Sequence, residues 1–70
     1  MNFSFSYNRL WKLLIDKNMM KKDLMTKTSI TSSTIAKMGK NKAVSMDVLG
    51  KICLALDCDI GDVVEIVKED

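Results

Sequence analysis

An apolar residue, a residue able to cap a helix, and a second apolar residue four positions past the cap recur along this chain. The spacing occurs at Phe5-Ser6…Leu10, Ile30-Thr31…Ile35, Val44-Ser45…Leu49 and Cys58-Asp59…Val63. It is the spacing of a hydrophobic staple around a helix N-cap, whose side-chain oxygen accepts from the unpaired amides of the first turn. A weaker copy, Met19-Met20…Leu24, has an apolar residue at the cap. Five helix starts are therefore predicted.

The periodicity downstream agrees. Leu10, Trp11, Leu14 and Ile15 form a stripe at 3–4 spacing, as do Val48, Leu49, Ile52, Cys53 and Leu56, and Ile35 and Met38 form a short one. The reading is an all-α domain with helices near 7–17, 21–28, 32–40, 46–56 and 60–67. Leu10, Trp11, Leu14, Leu24, Ile35, Leu49, Ile52 and Leu56 are expected to share one core. Phe3, Phe5 and Tyr7 alternate with polar residues, which permits an extended arm, although folding over the core rim is the expectation. Only residues 29–31 separate the second and third helices, so these two should form a tight, steeply crossed helix–turn–helix.

Composition narrows the class. Seventy residues, 1–70, make one small domain that buries only about 60% of its unfolded surface. Proline is absent, which favours helices over loop-rich folds. Cys53 and Cys58 are too few for a disulfide framework and are expected to be reduced packing residues, which favours the cytoplasm. Without histidine or a second cysteine pair, no metal site or other cofactor is expected. The opening MNFSFSYNRL does not read as a signal peptide, and no apolar run approaches the ~20 residues of a membrane helix. No small-molecule ligand site is evident.

The charge is divided along the chain. Residues 1–42 hold nine basic groups and two acids, a net +7; residues 43–70 hold two basic groups and seven acids, a net −5. The basic part suits a polyanion. At its centre lies SITSSTIAK, residues 29–37, rich in hydroxyls and poor in charge. On the expected helices Ile30 anchors the turn, Thr31 caps, and Ile35 and Met38 face inward. Ser32, Ser33, Ala36, Lys37 and Lys40 then face outward. Short side chains let a helix backbone approach another surface closely, as entry into a DNA major groove requires. Ser and Thr hydroxyls can bond base edges or phosphates, and Ala36 can meet a thymine methyl. Neutral residues would read while the flanking lysines grip. Taken alone, the hydroxyls also fit an ordinary well-capped helix start.

The ordered series NRLWKLLIDKNMMKKDLMTKTSITSSTIAKMGKNKAVSMDVLGKICLALDCDIGDVVE resembles the phage-repressor, Cro-like (xenobiotic-response-element type) helix–turn–helix family, in particular its small stand-alone members. The resemblance implies a lambda-repressor-like five-helix domain whose third helix, about 32–40, lies in the major groove of double-stranded DNA. Carried over by position, Lys21 would contact phosphate. Ser32, Ser33 and Lys37 would face bases, with the capping Thr31 beside them in the DNA-binding set, and Lys40, Asn41 and Lys42 would follow the backbone. Two positions depart from the family: the turn glycine is Ser29, and the usual small residue of the second helix is Met25. A left-handed Ser29 would cost about 1 kcal/mol.

The implied function is a sequence-specific transcriptional regulator, acting as a homodimer. Val63, Val64, Ile66 and Val67 make the last expected helix apolar on more than one side, which suits a dimer contact together with the aromatic arm. The competing class is an antitoxin-like or adaptor module that keeps the fold and binds another protein. Six methionines permit that, since methionine suits adaptable surfaces; most are expected in the core, with Met19, Met20 and Met46 exposed. No enzyme is expected, because histidine is absent and no glycine loop resembles a phosphate cradle.

Overall fold

The structure is a computed structural model and describes residues 2–69. Its elements run β1 (Asn2–Ser6), α1 (Asn8–Asp16), α2 (Lys21–Thr28), α3 (Ser32–Gly39), α4 (Met46–Leu56), a 3-10 turn (Ile60–Asp62) and β2 (Glu65–Glu69). Four helices lie within about two residues of their expected limits. The fifth does not form, so the five-helix all-α expectation is corrected to four helices plus a two-stranded antiparallel ribbon.

The expected caps form at α3 and α4, whereas α1 starts after Tyr7 with no side-chain cap, and the expected cap Ser6 ends β1, its hydroxyl accepting from the Asn8 amide at 3.3 Å. Thr31 Oγ1 accepts from the Thr34 amide at 3.3 Å, and Ser45 Oγ accepts from Val48 at 3.2 Å. At the weaker start, Asp23 accepts from the Met20 amide at 2.8 Å, so the acid three residues on supplies the return bond of a capping box although the cap itself is apolar. Asp59 accepts from Ile60 at 2.9 Å, and Asp62 returns to the Asp59 amide at 3.1 Å. The fourth staple therefore starts a turn as its spacing says, and Val63 is fully buried. Beyond Val63 the backbone changes character. Val64-Glu65-Ile66-Val67 is β-branched at three of four positions, which suits extended backbone. It finds a partner in the alternating N-terminal segment.

That partner sets the register. Asn2 faces Glu69, Phe3 faces Lys68, Ser4 faces Val67, Phe5 faces Ile66 and Ser6 faces Glu65. Phe3 and Phe5 pack edge to face with ring centroids 5.6 Å apart. The N-terminal arm is thus a strand, and Val63, Val64, Ile66 and Val67 do not share a helix. Arg9 fastens the ribbon to α1: its guanidinium donates to the Gly61 carbonyl at 3.1 Å and lies 3.4 Å from Glu65.

The core holds Tyr7, Leu10, Leu14, Leu24, Ile30, Ile35, Met38, Leu49, Ile52, Leu56 and Val63. Of the eight expected core residues, Trp11 is only half-buried, packed against the others. Ile15 drops out of its stripe and is exposed. Met20 and Met46 are exposed as expected, whereas Met19 is half-buried. Tyr7, read as part of the arm, is among the most buried side chains. Met25 and both cysteines pack half-buried against the core, and the cysteines are free thiols.

Candidate nucleic-acid interface

The helix–turn–helix is built by α2, residues 29–31 and α3. Thr28 closes the end of α2. Its buried hydroxyl donates to the Leu24 carbonyl at 2.6 Å and accepts from the Ile30 amide at 3.4 Å. Ser29 is left-handed, at φ 60° and ψ 22°, and its amide donates to the Met25 carbonyl at 2.8 Å. Ile30 turns back into the core, and Thr31 opens α3. Thr28 is a site-building residue that sequence reasoning missed. Its signal was a hydroxyl at the last turn of a helix, directly before the chain reverses.

α3 is held from beneath by Ile35 and Met38, both buried. This leaves Ser32, Ser33, Ala36 and Lys37 exposed on its outer side, as the periodicity predicts. The hydroxyls are not equivalent. Thr31 Oγ1 lies 3.0 Å from Ser33 Oγ and 3.1 Å from Thr34 Oγ1 in addition to its cap bond. Thr31 is therefore occupied in holding the helix start, and Ser33 leans on it. Ser32 and Lys37 have no side-chain partner among the described residues.

The loop after α3 is also ordered by its own backbone. The Lys40 amide donates to Ala36 and Lys37, Asn41 donates to Met38 at 3.0 Å, and Lys42 donates to Lys37 at 2.9 Å. Asn41 is left-handed at φ 59°, a conformation asparagine tolerates well. From the core side, the Tyr7 hydroxyl donates to the Lys42 carbonyl at 2.7 Å. Burial pushes the Tyr7 phenol above its usual pKa, against a smaller lowering from the Val44 backbone. The phenol stays a donor and pins the loop that carries Lys40, Asn41 and Lys42, all exposed.

Lys21 stands at the first position of α2, its ammonium 4.5 Å from the centre of the Trp11 ring. The contact, worth about 0.5–1 kcal/mol at an exposed site, steadies a long side chain without removing its charge from solvent. Among the described residues the one ion pair is Arg9–Glu65. Lys21, Lys37, Lys40 and Lys42 thus carry uncompensated positive charge, whereas Arg9 is tied to the ribbon. All eight residues singled out in the sequence, Lys21, Thr31, Ser32, Ser33, Lys37, Lys40, Asn41 and Lys42, are exposed on α2, α3, the turn between them or the loop between α3 and α4. Among the described residues no cluster of metal-ligating side chains occurs, and no helix is long and apolar enough to cross a membrane.

Known proteins share this arrangement. A family model for the Cro/C1-type HTH DNA-binding domain matches residues 9–69. The chain is similar to a crystal structure of the transcriptional regulator VanUg (form II), with 48% sequence identity and a TM-score of 0.93. The match covers 99% of this chain and 92% of that one. No curated protein matches the chain.

Proposed function

The chain belongs to the Cro/C1-type helix–turn–helix DNA-binding family, and from that premise we propose that it is a sequence-specific transcriptional regulator that lays α3 in the DNA major groove as a homodimer. The observation that carries the reading is the outer face of α3. It has short, solvent-facing side chains on a capped helix, flanked by unpaired lysines on α2 and the loop after α3. Ser32 and Lys37 meet base edges, with Ser33 held beside them by Thr31. Lys21, Lys40, Asn41 and Lys42 meet phosphates. It is a binding function with no catalytic step. The similar transcriptional regulator supports the same reading.

The adaptor reading draws on one observation, an apolar groove beside the ribbon lined by Phe5, Val44, Met46, Ile60, Val64 and Ile66. A salt titration separates the two. Lys42→Ala should weaken binding to a selected operator and to random DNA alike. In a dimer the slope of log affinity against log salt should fall by about two, since each phosphate contact contributes ~0.9. Ser32→Ala should leave that slope unchanged and alter discrimination among sites by ~1 kcal/mol per half-site. If Lys21, Lys37 and Lys42 variants all bind as the parent does, with its slope, this face does not hold DNA.

A further inference from the structure

The ribbon has two open edges. Among the described residues no main-chain hydrogen bond leaves β1 or β2 for any segment except the other strand. Neither strand runs extensively along a helix. A two-stranded ribbon alone is marginal in water, and a third strand adds stability. Natural sheets protect open edges with charge, proline or a covering segment. β2 is so protected, carrying Glu65, Lys68 and Glu69. β1, Asn2–Ser6, carries no charge and no proline.

We propose that β1 pairs edge to edge with β1 of a second copy of this chain, antiparallel about a two-fold axis, to give a four-stranded sheet in the order β2–β1–β1–β2. This rests on the homodimer reading above and says which surface makes it. The difference in charge selects the edge. Full overlap of two β2 strands, centred on Val67, would set Glu65 opposite Glu69 of the partner subunit twice, and like charges opposed across strands repel. Full overlap of two β1 strands, centred on Ser4, opposes no charges. It sets Phe3 opposite Phe5 of the partner subunit, also twice, and aromatic cross-strand pairs attract.

The side chains extend the contact beyond the backbone. Phe3, Phe5, Ile66 and Lys68 share one ribbon face, because paired residues point to the same side. That face borders the groove containing Met46 and Ile60. Phe3 is 58% exposed, Ile66 65% and Met46 66%. A stable interface buries about 800 Å² per partner, more than a five-residue edge supplies, and these side chains add to it. The chain has area to cover: its accessible surface is 4953 Å², against about 4,400 Å² expected of a compact monomer of this mass. Association stops at two, because a two-fold contact is self-complementary and closed, and the charged β2 edges lie outermost.

The test is sedimentation equilibrium of the full chain without DNA, with amide hydrogen exchange on the same samples. The parent should be a dimer. In it the outward-facing amides of β1, not only those bonded to β2, should be protected. Ser4→Lys and Ser4→Glu should each weaken self-association roughly five-fold or more while keeping helical circular dichroism, and mixing the two variants should restore it. Val67→Lys, on the outer strand, should change it less than about two-fold. A parent that stays monomeric at several hundred micromolar overturns the proposal. So does a dimer whose outward β1 amides exchange freely, a result that requires no variant to fold. Binding to a duplex carrying a single half-site needs no dimer, so its salt dependence reports separately on the DNA reading.

Discussion

Past its first turn, the outer face of α3 exposes side chains over a backbone whose hydrogen bonds are made within the helix, whereas β1 exposes backbone beside side chains that are partly buried. The first surface is cationic at its margins and neutral at its centre. The second is uncharged along its edge and, apart from Lys68, apolar on one face. A polyanion with hydrogen-bonding edges matches the first; a second uncharged strand matches the second. Exposure alone therefore says little about partner class. What decides it is whether the unpaired groups are charges and hydroxyls or main-chain donors and acceptors.

The largest expected effect breaks this comparison at its foundation. Met38 is fully buried under α3, while Ile66 is exposed on the ribbon. Met38→Ala should cost about 2–5 kcal/mol in urea unfolding, because it leaves a cavity. Ile66→Ala, measured in dilute solution where the chain is monomeric, should stay within about 0.5 kcal/mol. Equal losses would mean that the ribbon face belongs to the core of the single chain and is not a free surface.

Tyr7 links the two regions, since it comes directly after β1 and its hydroxyl holds the Lys42 carbonyl. Tyr7→Phe should cost about 1 kcal/mol or somewhat more, as the hydrogen bond is lost and the carbonyl is left without its partner. DNA affinity should fall with the salt slope unchanged, because no charge is removed. An altered slope would show that the loop lysines had left their places. The same position shows how far the sequence could be read. The starts of α3 and α4 were legible because a cap and its staple lie within six residues. The outward set on α3 was legible because Ile35 and Met38 fix its rotation. Tyr7 was not, because its burial depends on a loop 35 residues away. Nor was the ribbon: the alternation of Phe3 and Phe5 was visible, but its pairing with Ile66 and Lys68 is non-local. The Asp59 cap was correctly read, but it opens a three-residue 3-10 turn and no fifth helix, and the chain past Val63 goes to the strand.

Cys58 sharpens the comparison from the other side of the core. Burial pushes its thiol from 9.0 to about 11, with the neighbouring Cys53 thiol and Asp62 adding to the rise and Lys17 opposing it. The folded chain holds this proton where the unfolded chain releases it. The resulting stability is fully present below pH 9 and is lost as pH rises through about 11. Tyr7, also raised, adds a loss that begins near pH 10. Cys58→Ala should flatten the stability profile between pH 9 and 10 and lower its slope between 10 and 11, leaving there the part that Tyr7 contributes. Slow reaction of Cys58 with a thiol reagent at pH 8 would agree with a packing role, and fast reaction would refute it.

The smallest expected effect lies in the turn before α3, where the strain of the recognition region is held. Among the described residues four non-glycine residues are left-handed: Asn18, Ser29, Asn41 and Asp57. Asparagine and aspartate tolerate this conformation because their short side chains bond locally, and serine does so less well. None of the three glycines has positive φ, so the chain uses its permissive residues elsewhere. Ser29→Gly removes a steric cost of about 1 kcal/mol but adds freedom to the unfolded chain, for a net gain near 0.5 kcal/mol. In a domain of this size that raises Tm by about 2–4 °C. Asn41→Gly should gain less, because its left-handed backbone is less strained to begin with. The salt slope of DNA binding should be unchanged in both, since neither residue is charged. A loss of stability in Ser29→Gly would mean that the serine side chain contributes more to the turn than its backbone strain costs. The strain would then be a lesser feature of the helix–turn–helix than the buried Thr28 hydroxyl that closes it.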